Sequence, residues 1–471
     1  MSQKSLVLIE FNELCPSLVE KFIHEGHLPN FKKLQSESHV YVTDAEETGE
    51  SLNPWVQWVT VHTGLRADEH QVTTLSQGNQ VENKSIWDVL SDRGCRIWVC
   101  GSMNAGYKLP LDGYLLPDAW STGIEPTPKG EFTPFYEYIR NAVQEHTNPS
   151  STECSSKEFV TYLLKHGLSL FTLTRLARQI VTERFRNIGW KRAMLLDQIQ
   201  FDVFKYYFKK TKPHFSTFFI NSTAHYQHCY WREMDPSSFI LPPTPEDVAK
   251  YGGAILEGYK NMDELIGKFL KLAGDKTTLV FCTALSQQPY PDSDNEGGRH
   301  YYRIKKSNLL VEKLGLSETF QYEPVMAEQF CLNYQSTEDA SFADSHLSTF
   351  TVQDDRVFSD GRNRLFHTSR KGGRLMVQCR CTKTVPADTR IHCSGGAEIP
   401  FFDVFYKVES VKSARHHPDG MLWVRQQDKS HKIISEKIPL TGVAPMLLDF
   451  FDESSPREQT THHPLQVDSN N

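Results

Sequence analysis

Several side chains that can ligate a metal ion stand directly after apolar runs of the sequence. Asn221, His225 and His228 follow one such run, and Glu10 follows the first run of the chain. Imidazole nitrogens and carboxylate or amide oxygens are common protein ligands of divalent cations. We therefore interpret these residues as a candidate metal site, although each residue type is also common in surface turns.

Cys229 stands beside the two histidines and offers a second kind of chemistry. A thiolate next to a histidine is an activated nucleophile, and it is also a soft metal ligand. The sequence shows no third residue that would orient such a pair, so metal binding remains the main interpretation. His62 and His70 bracket a Thr-Gly turn and are interpreted as structural.

The elements that must position these residues alternate between strand and helix. Helical spacing is clearest over 251–269, and buried strands are predicted for the apolar runs at 6–9, 97–100, 215–220 and 278–282. Repeated β-α-β units predict an α/β fold, a three-layer sandwich whose mainly parallel sheet has helices on both faces. Because ligands bind at the carboxyl ends of parallel strands, the residues that follow these runs are expected to form the site.

One helical segment interrupts this alternation. We predict that 125–212 form a helical cap inserted into a single catalytic domain of residues 1–456, and that the polar residues 457–471 are disordered. The basic residues of the cap are interpreted mainly as a solvated helix face. They are Arg175, Arg178, Arg184, Arg186, Lys191 and Arg192.

The charge and the cysteines limit the partners and the compartment. With 51 Lys and Arg against 58 Asp and Glu, the formal charge is −7, which disfavours nucleic acid or an anionic membrane as a partner. No apolar run approaches the ~20 residues that cross a bilayer, and the first residues lack the pattern of a signal peptide. The ten cysteines form no CxxC pair, which favours reduced thiols. We therefore expect a cytoplasmic protein with no nucleic-acid and no membrane partner.

Five segments occur in a characteristic order along the chain. They are the opening strand with the His-Leu-Pro-Asn run at 27–30, the Thr-Gly segment at 63–70, the Asn-Ser-Thr-Ala-His run at 221–225, the His-His-Pro-Asp-Gly run at 416–420 and the Val-Ala-Pro-Met-Leu-Leu run at 443–448. Together they resemble the alkaline phosphatase superfamily, particularly its type I phosphodiesterase/nucleotide pyrophosphatase branch. The resemblance implies a hydrolase or transferase that acts on a phosphate, phosphodiester or sulfate ester through a metal-assisted hydroxyl nucleophile.

The resemblance also implies which residues hold the metal. It assigns four ligands, which are Glu10, Asn221, His225 and His416, with His417 as the fallback for His416. The sequence departs from the family at Leu285 and Ser286, where an aspartate and a histidine would hold a second ion. We therefore expect one divalent cation rather than two, with zinc first and manganese or calcium as alternatives.

The position of the nucleophile is a further departure from the family. The spacing back from Thr63-Gly64 falls on Pro54, which has no nucleophilic atom. A short shift places Ser51 or Thr48 in this role, and Asn53 and Pro54 then begin the following helix. The N-terminus of a helix suits this chemistry because its free amides and its dipole stabilise an anion.

Two hypotheses of different classes follow. The first is an enzyme that acts on a small-molecule or glycan ester, with a soluble intermediate expected as its substrate. The second is a catalytically inactive binding or scaffold protein with the same fold, which the missing Asp-His pair supports. Metal content distinguishes the two hypotheses, because only the first requires a bound cation.

Overall fold

We describe the protein from a computed structural model. The residues that it describes are 4–49, 51–75, 77–108, 110–121, 123–144, 156–185, 188–325, 329–358, 363–393, 396–408 and 411–452. The tail that the sequence predicts to be disordered, at 457–471, and Arg186 of the predicted cap lie outside these residues.

The strands of the described residues are numbered in chain order. They are β1 (Leu6–Phe11), β2 (His39–Asp44), β3 (Ile97–Cys100), β4 (Gly113–Leu116), β5 (Phe215–Ile220), β6 (Thr278–Cys282), β7 (Ser286–Pro289), β8 (Tyr302–Ile304), β9 (Phe320–Pro324), β10 (Phe330–Tyr334), β11 (Phe366–Lys371), β12 (Arg374–Cys379), β13 (Arg390–His392), β14 (Glu398–Pro400), β15 (Phe405–Lys407), β16 (Ala414–His417), β17 (Asp419–Arg425), β18 (Lys432–Ile433) and β19 (Ile438–Pro439).

The α-helices are numbered in the same way. They are α1 (Pro16–His24), α2 (Pro29–Ser36), α3 (Pro54–Thr63), α4 (Ala67–His70), α5 (Ile86–Asp92), α6 (Thr133–Gln144), α7 (Ser156–Lys165), α8 (Leu170–Glu183), α9 (Arg192–Thr211), α10 (Ser222–Met234), α11 (Pro245–Tyr251), α12 (Ala254–Ala273), α13 (Leu309–Glu312), α14 (Thr337–Leu347), α15 (Phe401–Val404) and α16 (Val443–Asp452).

The central sheet is mainly parallel, as the sequence predicts. Its strand order is β18-β2-β17-β6-β1-β5-β3-β4, with β19 also paired to β2. Strands β6, β1, β5, β3 and β4 are parallel to their neighbours within this block. Strand β17 is antiparallel to both β6 and β2. The carboxyl ends of the parallel strands therefore meet at one edge, which is where a site is expected.

Alternate residues of β1 belong to two separate cores. Val7, Ile9 and Phe11 pack with residues of α1, α2 and α12, whereas Leu6 and Leu8 pack with residues of α3, α5 and α16. This alternation follows from the period of two along a strand. Helices thus cover both faces of the sheet, and the α/β three-layer sandwich is confirmed.

Two further regions extend this sandwich. Helices α6, α7, α8 and α9 lie between β4 and β5, inside the segment predicted as a cap, and α9 also packs against β3, β5 and α12. A second, antiparallel sheet has the order β11-β12-β10-β9 and shares its own core with α13, α14 and α15. The boundaries of the inserted cap stay a prediction.

None of the helices in the described part of the chain combines the length and the apolar composition that crossing a bilayer requires.

Candidate metal centre

Three ligand atoms converge beside the carboxyl ends of β1 and β5. Glu13 Oε2 lies 3.1 Å from His228 Nε2 and 3.4 Å from His416 Nε2. Across the described residues, this is the one group of three or more His, Cys, Asp or Glu side chains whose ligand atoms all lie within 4.8 Å of one another. We refer to these three residues as the Glu13 cluster.

Glu13 enters the cluster through an uncommon backbone conformation. It follows the last residue of β1 by two positions and has a φ of 58°, which a residue with a side chain rarely adopts. The conformation is held from both sides, because the Glu13 amide donates to the Thr283 carbonyl at 3.4 Å and Gln227 Nε2 donates to the Glu13 carbonyl at 2.8 Å. The backbone thus aims a buried carboxylate at the two imidazoles.

The two histidines come from distant parts of the chain. His228 lies in α10, which begins immediately after β5, and its Nδ1 donates to the Ala414 carbonyl at 3.3 Å. His416 lies in β16, opposite Gln287 of β7, and its Nδ1 donates to the Leu52 carbonyl at 2.8 Å. Each ring is therefore oriented by a backbone oxygen of another segment.

These backbone contacts decide which nitrogen of each ring faces Glu13. A neutral imidazole has one nitrogen that donates and one that accepts. Because Nδ1 of both neutral rings donates to a carbonyl, each Nε2 carries a lone pair that points toward a carboxylate oxygen. Two hydrogen-bond acceptors then face each other with no proton between them. A cation between these atoms, or protonation of both rings, resolves this conflict. Histidine ligands of metals commonly donate their other nitrogen to a carbonyl in this way.

The Glu13 carboxylate is otherwise surrounded by amide donors. Asn12 Nδ2 donates to Oε1 at 2.8 Å and Gln287 Nε2 donates to Oε2 at 2.5 Å. Burial alone would raise the pKa of Glu13, but the positive charges of His416 and His228 when both rings are protonated, and the hydrogen bonds that they then donate, hold it well below the usual range. Burial in turn lowers the pKa of His228, against the opposing effect of Glu13. The site thus favours an ionised carboxylate.

The distances from Glu13 Oε2 to the two imidazole nitrogens fit a small tetrahedral cation. Nitrogen and oxygen ligands about 2.0–2.1 Å from zinc, arranged tetrahedrally, lie about 3.3–3.4 Å from one another. The two contacts of Glu13 Oε2 measure 3.1 and 3.4 Å. Two imidazoles and one carboxylate also form a common set for zinc sites that keep a fourth position open.

No model of a known protein family matches the sequence, and no curated protein matches it. Among solved structures, the chain is similar to phosphonoacetate hydrolase from Sinorhizobium meliloti 1021, with 11% identity, a TM-score of 0.44 and coverage of 95% of this chain and 96% of the other. It is also similar to murine ectonucleotide pyrophosphatase/phosphodiesterase 5, with 9% identity, a TM-score of 0.38 and 95% coverage of both chains. The human protein of that name gives 10%, 0.38 and 97% of both chains.

Of the four ligands that the resemblance implies, His416 lies in the cluster. Asn221 lies one contact away, since its Oδ1 accepts from Asn12 Nδ2 at 2.6 Å. An amide oxygen has a second lone pair, so a role for Asn221 as a ligand stays a prediction. Asn12 is fixed in turn by Trp58, whose indole nitrogen donates to Asn12 Oδ1 at 2.8 Å.

Glu10 is placed elsewhere by the structure. Strand β1 continues to Phe11 rather than ending at residue 9, so Glu10 points into the layer between the sheet and α3. There Oε1 lies 2.8 Å from His62 Nε2, and Ser102 Oγ donates to Oε2 at 2.5 Å. Glu10 is not a member of the Glu13 cluster, because the strand alternation directs its side chain to the face of the sheet and not to its edge.

His225 is also outside the Glu13 cluster. Its side chain is exposed, and Cys229 Sγ lies 3.8 Å from His225 Nδ1. The neighbouring Cys229 raises the pKa of His225 above its ordinary value through electrostatic attraction and a hydrogen bond. His225 and His228 stand three positions apart on α10, and the structure brings the second of them to Glu13.

The two candidate nucleophiles lie between β2 and α3. Ser51 is half-buried and directly precedes Leu52, whose carbonyl accepts from His416. Thr48 is exposed three residues earlier. Asn53 is the residue before α3, and its Oδ1 is buried without a hydrogen-bond partner in the described structure. The backbone next to Ser51 thus contacts the cluster, and the role of Ser51 or Thr48 stays a prediction.

Leu285 and Ser286 stand where the resemblance would place ligands of a second ion. Leu285 is fully buried in the core that contains α3 and α5, and Ser286 begins β7. Neither residue adds a charged ligand to the site.

Sequence reasoning missed Glu13 and gave His228 only a supporting part. Two signals for Glu13 were present: Glu13 stands immediately beyond a strand, and Asn12-Glu13 places two polar residues at that position. Ending the strand two residues early directed attention to Glu10, whereas the structure places Glu13 beside the two histidines. For His228 the signal was its position in the first turns of the helix that follows β5.

Proposed function

We propose that the protein binds one divalent cation, zinc before manganese or calcium, at Glu13, His228 and His416. We propose further that it uses this site to hydrolyse or transfer a phosphate, phosphodiester or sulfate ester. One observation carries the proposal: the Nε2 atoms of two histidines lie 3.1 and 3.4 Å from one carboxylate oxygen, while both Nδ1 atoms donate to carbonyls.

A divalent cation at this site would polarise an ester oxygen and favour deprotonation of a hydroxyl. The chain itself supplies the orientation of the ligands. The Leu52 and Ala414 carbonyls fix the two rings, and the amides of Asn12 and Gln287 fix the carboxylate. Ligands held in this way lose little freedom when the cation binds.

The nucleophile that we propose is Ser51, with Thr48 as the alternative. Ser51 is three residues before the first turn of α3, so an anion next to it would be near the free amides of that helix. The contact between the Leu52 carbonyl and His416 supports this choice because it ties the Ser51 segment to the cluster. The substrate class that we propose is a small-molecule or glycan ester.

A binding or scaffold function is the second candidate. The observation that favours it is the buried Leu285, which fills the region where an acidic ligand of a second ion would stand. A binding or scaffold function requires the fold but no bound cation.

The proposal is tested by metal analysis and by hydrolysis assays on the same purified protein. We expect about one zinc per chain, as three protein ligands and one open position imply. The zinc-loaded protein is then assayed with p-nitrophenyl phosphate, bis(p-nitrophenyl) phosphate and p-nitrophenyl sulfate. His416→Ala is expected to lose both zinc and activity, whereas Ser51→Ala is expected to retain zinc and lose activity.

His225→Ala is the matched control, since His225 lies on the same helix as His228 but outside the cluster. We expect it to retain zinc and activity. Loss of zinc in His225→Ala with retention in His416→Ala would reject the cluster as the metal site. A protein that takes up no divalent cation under any loading condition would favour the binding or scaffold function.

A further inference from the structure

Helix α8 presents most of its large apolar side chains to solvent, whereas the side chains that face the protein are mainly polar. The inward positions are Thr172, Arg175, Leu176, Gln179, Thr182 and Glu183, all buried or half-buried. The outward positions carry six large apolar side chains, which are Leu170, Phe171, Leu173, Ile180, Val181 and, just past the helix, Phe185. We call this second set the outer face of α8.

The polar contacts of the inner face fix this orientation. Arg175 Nη1 donates to Glu264 of α12 at 2.8 Å, and Gln179 Nε2 donates to the Ile188 carbonyl at 3.0 Å. The Ser169 side chain caps the helix and also donates to Asp202 of α9 at 2.9 Å. Rotating α8 to bury its apolar side chains would break these contacts, so the outward direction of the apolar face is built into the fold.

The exposed large apolar side chains of the described residues are concentrated on the outer face of α8. Among the described residues twelve large apolar side chains are exposed, and the six of the outer face are half of them. Leu170 is 81% exposed, Ile180 59% and Phe185 83%. Amphipathic helices of folded proteins normally direct such residues inward, so a contiguous exposed strip indicates a docking surface.

The exposed charged residues within 170–185 are all basic. Arg178 and Arg184 are exposed among the apolar side chains, and no acidic residue faces outward within 170–185, all of which the structure describes. The whole chain, by contrast, has a formal charge of −7. A cationic, apolar surface on an acidic protein is complementary to an anionic partner.

We propose that the outer face of α8 docks the protein onto an anionic lipid surface. Helices with Leu, Ile and Phe on one face and arginines among or beside them lie in the plane of a bilayer interface, with the apolar side chains below the phosphates. Thr174, which is exposed between these apolar side chains, already donates its hydroxyl to the Phe171 carbonyl at 2.8 Å. The apolar side chains of the outer face of α8 need no hydrogen-bond partner at a fixed position, which suits a fluid lipid interface.

Two other occupants fit these observations less well. A second copy related by a two-fold axis would bring the same arginines together with no acidic residue to pair with them. The polar segment 145–155 contains no large apolar side chain that could cover the strip. The proposal departs from the expectation of no membrane partner, which rested on the charge of the whole chain and not on its distribution. It does not depend on the proposed ester chemistry.

The test is flotation of the full-length protein with phosphatidylcholine vesicles, with or without phosphatidylglycerol. We expect binding to the anionic vesicles at least about tenfold stronger than to the neutral ones. We also expect weaker binding when salt is raised from about 0.1 M to about 1 M, which shortens the Debye length from about 10 Å to about 3 Å.

Two variants locate the surface. Leu170→Ser with Ile180→Ser, and separately Arg178→Glu with Arg184→Glu, are each expected to reduce vesicle binding at least about tenfold. Ile240→Ser with Ile433→Ser is the matched control, because both residues are 67% exposed and lie outside α8. The control is expected to bind as the wild type does, and circular dichroism confirms the fold of every variant.

Absence of binding to anionic vesicles would overturn the proposal, and so would equal binding by the α8 variants. A dimer in solution that Leu170→Ser with Ile180→Ser dissociates would assign the strip to a protein interface instead.

Discussion

Glu10 and Glu13 stand three positions apart at the end of one strand, and each is buried against a histidine. Glu10 Oε1 lies 2.8 Å from His62 Nε2, and Glu13 Oε2 lies 3.1 Å from His228 Nε2. The residue types and the distances are nearly the same. The two regions differ in the hydrogen-bond partner of Nδ1, the ring nitrogen that does not face the carboxylate.

His62 Nδ1 has no hydrogen-bond partner among the described residues. A neutral His62 can therefore carry its proton on Nε2 and donate to Glu10, while its ring packs between Trp58 and Trp87. In His228 and His416, the carbonyl that accepts from Nδ1 keeps the proton of each neutral ring on that nitrogen. The tautomer, set by a distant backbone oxygen, thus distinguishes the buried Glu10–His62 pair from the proposed metal site at Glu13.

The largest expected effect comes from neutralising one carboxylate or the other. We expect Glu13→Gln to weaken zinc binding more than about 100-fold, because losing even an outer partner of a metal ligand costs about 10–100-fold. Competition with a chromophoric chelator measures the affinity. Glu10→Gln, which preserves the shape of the buried pair, serves as the control and is expected to bind zinc as the wild type does. Equal affinities in the two variants would remove the distinction drawn between the two regions.

For stability we expect the opposite order: the substitution at His62 has the larger effect, and the substitution at His228 the smaller one. In the presence of chelator, we expect His62→Ala to reduce the free energy of unfolding by about 3 kcal/mol, since it leaves a cavity and takes a partner from a buried carboxylate. His228 is partly exposed, so His228→Ala is expected to cost less than about 1 kcal/mol. Urea unfolding of both variants gives the two values. A larger loss in His228→Ala would contradict the structural role assigned to His62.

A third buried carboxylate, that of Asp197, extends the comparison because no histidine faces it. It accepts from Ser222 Oγ at 2.5 Å and from Asn261 Nδ2 at 2.8 Å, and burial raises its pKa to about 7. The folded state thus binds this proton more tightly than the unfolded state, whose pKa is near 3.8. The resulting stability is complete below about pH 4 and is lost as the pH rises through about 7.

We therefore expect Asp197→Asn to flatten the pH dependence of stability. Relative to the wild type, the variant should gain about 2 kcal/mol in the free energy of unfolding between about pH 5 and about pH 8. Urea unfolding at a series of pH values measures this difference. A constant difference between the two proteins across this range would show that Asp197 does not titrate with folding.

The order and type of the main elements could be predicted from local patterns. The runs at 97–100, 215–220 and 278–282 become β3, β5 and β6 with the predicted bounds, since continuous apolar runs of that length have few alternatives to a buried strand. The segment of Asn221 and His228 and the segment of His416 were also located correctly as the place where polar groups gather. Spacing along one strand or helix is a property that the sequence displays directly.

The choice of the carboxylate that faces the two histidines could not be predicted in the same way. A residue inside a strand points to one face of the sheet, whereas a residue beyond the end of the strand can turn toward the edge. Ending β1 at residue 9 instead of Phe11 therefore placed Glu10 beyond the strand, although it lies inside the strand and points into a core. Glu10 is compatible with a position inside the strand because His62 and Ser102 satisfy its carboxylate, and both residues lie more than fifty positions away along the chain. Burial of a charge inside an apolar run therefore depends on contacts that local patterns do not show.

Local patterns in the sequence were enough to predict the layered α/β architecture and the edge of the sheet at which polar groups collect, because the spacing of apolar residues and the order of elements along the chain can be read without the fold. That Glu13 rather than Glu10 faces two histidines, and that the apolar side of α8 faces outward, became clear only from the folded structure. Both outcomes depend on partners supplied by distant segments, namely the Leu52 and Ala414 carbonyls for the imidazoles and Glu264 for Arg175. Such partners fix tautomers and helix rotations through geometry that exists only once the chain has folded.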